Sequence, residues 1–394
     1  MPVNPAPGPQ RPGIFRKALM WWGTRPLLQV FIIGFLVVSL YFLAVNVIES
    51  MRRIGVTPGF DFLNRAANFE IGESSIPFQA GDTYIRAIIV GLLNTLKVSV
   101  LGCVLATVLG VAVGVAGLSR NLLLATAVRW YVEIIRNTPL LLQLFFWISL
   151  TSAFPAPRQA SAFLGSIYFT NRGVFIPGGS IEGLSVSGST VFAGAIATFA
   201  AILFILKRSR ALNITSTALS FTAVVVVVAA GLSFSGAQLN VDIPELTGFN
   251  IRGGSSLSPE FAALLTGLVV KFSAAIAEIV RAGIQSVNNG QWEAARSLGL
   301  HPEQIMRLVV LPQALRVITP LTTSSYLDLT KDSSLAVAIG YPELVSVINT
   351  TANTTGQSLE ALMILIGTYL VINLSVSVLM NEYNRRVALR GNGR

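Results

Sequence analysis

The chain has 394 residues, 53% of them apolar and 12% charged, with 34 glycines, a net charge of +10 and a mean hydropathy of +0.67. Soluble globular chains carry about 25% charged residues, so much of this surface must meet something other than water. A single cysteine, Cys103, and a single histidine, His301, exclude a disulfide framework, a multi-cysteine metal site and HExxH zinc chemistry, and no GxxxxGK[ST] loop is present for nucleotide.

In chain order, residues 1–26 are proline-rich and basic (Arg11, Arg16, Lys17, Arg25), with Trp21 and Trp22 where interfacial tryptophans sit. Residues 27–48 then carry no charge. That length matches the roughly 20 residues needed to span hydrocarbon and exceeds the apolar core of a signal peptide, so it predicts an uncleaved first helix. Further apolar segments cover residues 87–118, 131–153, 191–206, 215–234, 261–280, 318–339 and 361–381. The expectation is an all-α, polytopic integral membrane protein of about eight transmembrane helices, embedded in the lipid bilayer with both termini on one side.

Within 87–118, Gly102, Ala106, Gly110 and Gly114 recur every four residues, which predicts a close helix-packing seam with Cys103 beside it. Arg120, Arg129, Lys207, Arg208, Arg210, Arg281, Arg296, Arg307, Arg316, Arg385, Arg386, Arg390 and Arg394 fall on the side of the N-terminal cluster. The opposite side offsets its arginines with ten acidic residues, among them Glu49, Glu70, Glu73, Glu182, Glu343 and Glu360. Basic loops face the cytoplasm, so both ends are cytoplasmic, and the positive charge marks topology instead of nucleic acid. The outer loops are roughly 49–86 and 154–190. The second is rich in Gly, Ser and Pro and reads as a solvated loop, with a partner-contacting surface as the alternative. Segment 191–234 has almost no polar side chains and reads as lipid-facing packing.

Three sets of polar residues stand out in this apolar background. Asn137-Thr138-Pro139 predicts a helix break, with Thr138 as the cap and Pro139 as the first residue of the restarted helix. Gln143, four residues on, then faces a path, since broken helices at membrane depth require protein or a water-filled cavity. Lys331, Asp332 and Ser333 interrupt an apolar segment where a charge costs about 2.5–3.5 kcal/mol to insert. They are candidates for a path or gate, the alternative being that Lys331 snorkels to the headgroups. Glu133/Arg136 and Glu278/Arg281 repeat the spelling E-I-x-R; an i,i+3 pair reads first as interfacial anchoring and second as a gate.

The one long polar cytoplasmic segment lies between Arg281 and Arg316. Residues 291–298 are helix formers, and Gly299 sits where a left-handed C-cap is wanted. Pro302 suits the first turn of a second helix, and Pro312 is expected to end it. With Ala294 and Ala295 allowing close approach, this resembles a docking element; an ordinary surface hairpin is the alternative.

Glu293-Ala294-Ala295, then Gly299, then nine residues and Val309-Val310-Leu311-Pro312 resemble the E-A-A-x-x-x-G…I-x-L-P signature of bacterial ABC-importer membrane subunits, with Val309 in place of the usual Ile. GLLNTLKVSV at 91–100, EIIRNTPLLLQLFFW at 133–147, AEIVRAGIQSVNNGQWEAARSLGL at 277–300 and LTKDSSLAVAIG at 329–340 are similar to landmarks of the histidine/glutamine-type amino-acid permeases. The enlarged layout is similar to the larger membrane subunit of general L-amino-acid ABC importers.

The resemblance implies a type I importer permease core in two parts, 86–153 and 258–394, with an extra N-terminal region 1–85 and an insertion 154–257. It implies ATPase coupling through the 284–314 loop, by Glu293, Ala294, Ala295, Gly299, Leu311 and Pro312. It further implies a second permease subunit, a cytoplasmic ABC ATPase dimer that holds ATP and Mg, a periplasmic amino-acid-binding protein, and a place in the bacterial inner membrane. No cofactor and no catalytic site are expected in this chain. The rival classes are an ion-coupled secondary transporter, which leaves the EAA segment without a purpose, and a membrane scaffold, which leaves the intramembrane charges unexplained.

Overall fold

The computed structural model describes residues 26–53, 55, 59–182 and 238–389. Helix α1 (Pro26–Arg53) buries none of its apolar stretch against the rest of the described chain. Residues 59–83 fold back as a compact loop anchored by Phe62, which is fully buried and meets the Tyr84 ring edge-on at 5.9 Å. Helix α2 (Tyr84–Ala116) is apolar all round, as a helix sunk among other helices must be. Its four-residue small-side-chain repeat does form the seam. A Cβ on Gly110 would stand 2.7 Å from the Ile276 Cβ, and one on Gly114 would stand 2.7 Å from the Ala277 carbonyl oxygen. Both contacts belong to α5 (Pro259–Gln285), the central helix of the bundle. Its Leu264, Leu268, Phe272 and Ile276 form one core with Leu140, Leu144, Ile318 and Leu329.

Helices α3 (Leu122–Asn137) and α4 (Leu140–Ser152) meet at 105°. The expected break is therefore real, but its cap is not the expected one. Thr138 terminates α3, its hydroxyl donating back to the Ile134 carbonyl at 2.8 Å, and Pro139 is the residue preceding α4. Five described helices are long and apolar enough to cross a membrane, or six if the bent pair is one span. The eight expected are not reached among the described residues, because 191–206 and 215–234 lie outside them.

The bundle is helical as expected, but the reading of 154–190 as a plain loop needs a correction. Residues 162–182 and 238–257 form eight short strands: β1 (Ala162–Phe163), β2 (Ile167–Thr170), β3 (Gly173–Ile176), β4 (Gly178–Glu182), β5 (Gln238–Asp242), β6 (Glu245–Thr247), β7 (Asn250–Arg252) and β8 (Ser255–Leu257). The runs Ile-Tyr-Phe-Thr and Gly-Val-Phe-Ile are β-branched and aromatic and are separated by only Asn171-Arg172, a hairpin signal hidden by the surrounding glycine and serine. Sheet order is β1-β2-β3-β8, with β4 paired to β5 and β6 to β7, all antiparallel. Val174 pairs with Leu257 and Gly178 with Asp242, so the two ends of the insertion run side by side.

After α5 the chain makes α6 (Asn289–Ser297) and α7 (Pro302–Ile305), a π-helical turn over Met306–Val310, and α8 (Leu311–Asp332). Pro312 does not end the helix as expected. Proline disrupts a helix by lacking an N–H and by crowding the carbonyl four residues back, and the wider π turn just before it relieves both. A 3₁₀ stretch (Ser333–Ile339) leads to α9 (Leu344–Thr355) and the long α10 (Ser358–Leu389).

Candidate coupling surface and polar path

Helix α6 is built to sit at a surface. Asn288 opens it, its side-chain oxygen accepting from the Gly290 N–H at 2.8 Å. At its end the Gly299 N–H reaches the Arg296 carbonyl at 2.9 Å and the Leu300 N–H reaches the Ala295 carbonyl at 3.2 Å. This doubled closure requires a left-handed residue, which Gly299 supplies at φ +74°. Trp292 and Ala295 turn inward, whereas Glu293, Ala294 and Arg296 are exposed and Leu298 presents 80% of its surface. Leu298 went unnoticed in the sequence because one leucine in an apolar chain carries no signal. The Gln313 amide donates to Gln291 at 3.3 Å and to the Val309 carbonyl at 2.9 Å, tying α6 to the head of α8. Leu311 and Pro312 are exposed at that head, immediately after the π segment.

At the α3–α4 elbow, the last carbonyls of α3 have lost their helical partners. Gln143, 6% exposed, donates to two of them, Ile135 at 3.1 Å and Thr138 at 3.0 Å. The side chain expected to face a path thus braces the bend, while Asn137 is exposed beside it.

Lys331, Asp332 and Ser333 are neighbours in sequence, but their side chains part. Asp332 pairs with Lys271 of α5 at 2.9 Å. Lys331 pairs with Asp328 at 3.8 Å, their side chains 58% and 63% exposed, and buried Ser333 donates to the Thr330 carbonyl. Lys271 and Asp328 were missed: only the fold brings Lys271 to Asp332, whereas Asp328 stands three residues before Lys331 on the same helix, a spacing already present in the sequence.

The two E-I-x-R pairs, far apart in sequence, line one cavity of about 510 Å³ between α3 and α5, close to where α5 leads into α6. Their internal chemistry differs. Arg281 makes two bonds to Glu278, at 2.5 and 2.9 Å, and a third to Gln285 at 2.7 Å. Glu133 and Arg136 form no ion pair among the described residues, contrary to the i,i+3 expectation.

The opposite face holds a fully buried carboxylate, Glu343, just before α9. It accepts from the Ser346 N–H at 3.1 Å, from the Thr95 hydroxyl of α2 at 3.3 Å and from the Tyr369 hydroxyl of α10 at 3.3 Å. No cation pairs with it among the described residues, and burial pushes its carboxyl up to about 7 against these hydrogen bonds. Nearby, Glu73 of the 59–83 loop accepts from Ser258 and pairs with Lys97 at 2.8 Å.

Residues 106–389 match the family described as binding-protein-dependent transport system inner membrane component. The chain is 45% identical to YhdX of Escherichia coli (strain K12), named as an amino-acid ABC transporter permease protein, over 87% of this chain and 89% of that one. It is 41% identical to the general L-amino acid transport system permease protein AapQ of Rhizobium johnstonii, over 92% and 91%. It is 36% identical to the glutamate/glutamine/aspartate/asparagine transport system permease protein BztB of Rhodobacter capsulatus, over 95% and 97%.

Proposed function

The chain belongs to the family of binding-protein-dependent transport system inner membrane components and is an amino-acid ABC transporter permease subunit, and we propose that it forms one half of a permease pair driven through α6. The observation that carries this is the surface helix closed by Gly299, with Glu293, Ala294, Arg296 and Leu298 turned outward and Trp292 and Ala295 rooted in the fold. A partner ATPase, which holds ATP and Mg, receives the outward set in a groove, with Leu298 as the apolar anchor. Movement of α6 passes through Gln291–Gln313 into α8. The π turn and Pro312 leave that helix head free to tilt.

Helix α8 also carries Asp328, Lys331 and Asp332 at membrane depth. An exposed pair of opposite charges there requires water or protein, not lipid. A travelling amino acid bears an ammonium and a carboxylate, and Asp328 and Lys331 offer one complement to each. We place this face of α8 on the path between the two permeases, with Ser333 behind it. Thr138 and Gln143 fix the elbow that borders the path from the other side, and exposed Asn137 stands beside it. Arginine placement supports cytoplasmic termini and a cytoplasmic α6. A periplasmic amino-acid-binding protein then delivers cargo on the face of the 59–83 loop and the strands.

The test is reconstitution of the whole complex into liposomes. Uptake should need ATP, and both Glu293→Lys and Leu298→Asp should abolish cargo-stimulated ATPase activity while the complex still assembles on a sizing column. Wild-type coupling in both variants would refute the role of α6. Uptake driven by an ion gradient without ATP would establish the secondary-transporter reading instead.

A further inference from the structure

The cavity lined by both E-I-x-R pairs has no part in the reading above. Its charges are unevenly committed. Arg281 is held by Glu278 and Gln285 through three of its five N–H donors and forms a fixed wall. Arg129, Glu133 and Arg136 also line the cavity, all from α3, and none of them forms an ion pair among the described residues. Spacings of four and three put all three on one face of that helix. Arg129 and Glu133 sit at the separation where such pairs form, and Arg136 is three residues beyond Glu133. Two guanidinium groups and one carboxylate without a close ion pair therefore line a space of about 510 Å³, with Arg136 near enough to Glu278 to feel its charge, and that volume is within the range of small-molecule sites. Val128, Val132 and Ala277 supply an apolar wall.

A simple anion would be attracted by the arginines and repelled by Glu133. A molecule with a carboxylate and an ammonium on adjacent atoms answers both signs, and guanidinium groups recognise carboxylates through paired hydrogen bonds. We propose that this cavity is an amino-acid-binding site on the coupling side of the membrane, with Arg129 and Arg136 taking the carboxylate and Glu133 the ammonium. The proposal rests on the amino-acid permease reading and adds a site distinct from the charges on α8. A molecule held by the α3 charges fills the space against Ala277, Glu278 and Arg281 of α5, whose last residue, Gln285, is four positions from α6. A bound amino acid thus clamps the helix that leads into the coupling element, and accumulated cargo slows its own import.

The test uses the reconstituted complex with ATP enclosed and L-glutamine at graded concentrations inside the vesicles. Initial uptake of external labelled L-glutamine is normalised, for each protein, to its own rate with none inside. Wild-type uptake should fall as internal L-glutamine rises. Arg136→Gln and Glu133→Gln should each raise the half-inhibiting concentration about tenfold or more, the expected loss for one charge-assisted hydrogen bond. Absence of inhibition in the wild type overturns the proposal, as does an unchanged half-inhibiting concentration in both variants. Equal inhibition by enclosed inorganic phosphate overturns it in favour of a plain anion site. Failure of ATP-dependent uptake into vesicles without internal amino acid would instead strike the permease reading, so the two failures are separable.

Discussion

Glu343 offers the sharpest physical test of the fold. Its carboxylate joins α2, α9 and α10 through Thr95, the Ser346 N–H and Tyr369, with no paired cation among the described residues. Burial raises its carboxyl from 4.5 to about 7, so the folded protein holds the proton more tightly than the unfolded chain does. The associated stability is complete below about 4.5 and is lost as pH rises through about 7. At 1.36 kcal/mol for each pH unit of displacement, the loss amounts to about 3 kcal/mol. Glu343→Gln keeps a carbonyl oxygen for the Ser346 N–H and turns an amide NH2 toward the two hydroxyls, which can accept from it, but it carries no titrating proton. The thermal midpoint in detergent, followed from pH 5 to 8, should therefore fall in the wild type relative to the glutamine variant. Amide protection of residues 344–355, corrected for intrinsic exchange, should follow the same difference. Glu343→Ala should be less stable than either at every pH, since loss of the cap alone costs about 1 kcal/mol. An identical pH slope in wild type and Glu343→Gln would refute the reasoning.

Other consequences are open to direct measurement. Gly110→Leu should collide with Ile276 across the α2–α5 seam and lower stability by about 1–3 kcal/mol or prevent assembly. Gly367→Leu, with nothing near its position, should be tolerated in the same thermal assay. Lys271→Met and Asp332→Leu should each destabilise by stranding the other charge, and the double variant should recover part of the loss, a coupling on the order of 1 kcal/mol in a double-mutant cycle. Cysteine placed at position 296 in a Cys103→Ser background should react with an impermeant thiol reagent only from the cytoplasmic side; labelling from the periplasm would invert the topology.

Much of this arrangement is legible before any coordinate. The four-residue repeat ending at Gly114 predicts a seam because helical spacing alone brings those positions onto one face. The closure at Gly299 and the start at Pro302 follow from local backbone preferences. Local rules fail where a distant element intervenes. Pro312 reads as a stop until the π turn absorbs it. Gln143 reads as path-lining until the 105° elbow leaves carbonyls for it to satisfy. Glu343 reads as one more outer-side charge, because nothing in its neighbourhood foretells Thr95 and Tyr369 arriving from two other helices. Lys331 and Asp332 read as a cluster, yet consecutive residues on a helix point about 100° apart, and each finds a separate partner.

The antiparallel pairing of β4 with β5 brings two distant parts of the sequence to one place. A strand that leaves the helical bundle and a strand that returns to it are hydrogen-bonded along their lengths, from Gly178 opposite Asp242 to Glu182 opposite Gln238. The entry and exit points are therefore neighbours, and α4 and α5 meet in the core without a gap held open between them. The rungs between residues 178–182 and 238–242 thus act as a clasp that fixes where the chain leaves and rejoins the bundle, so the packing of α4 on α5 is set on the inner side of that ladder.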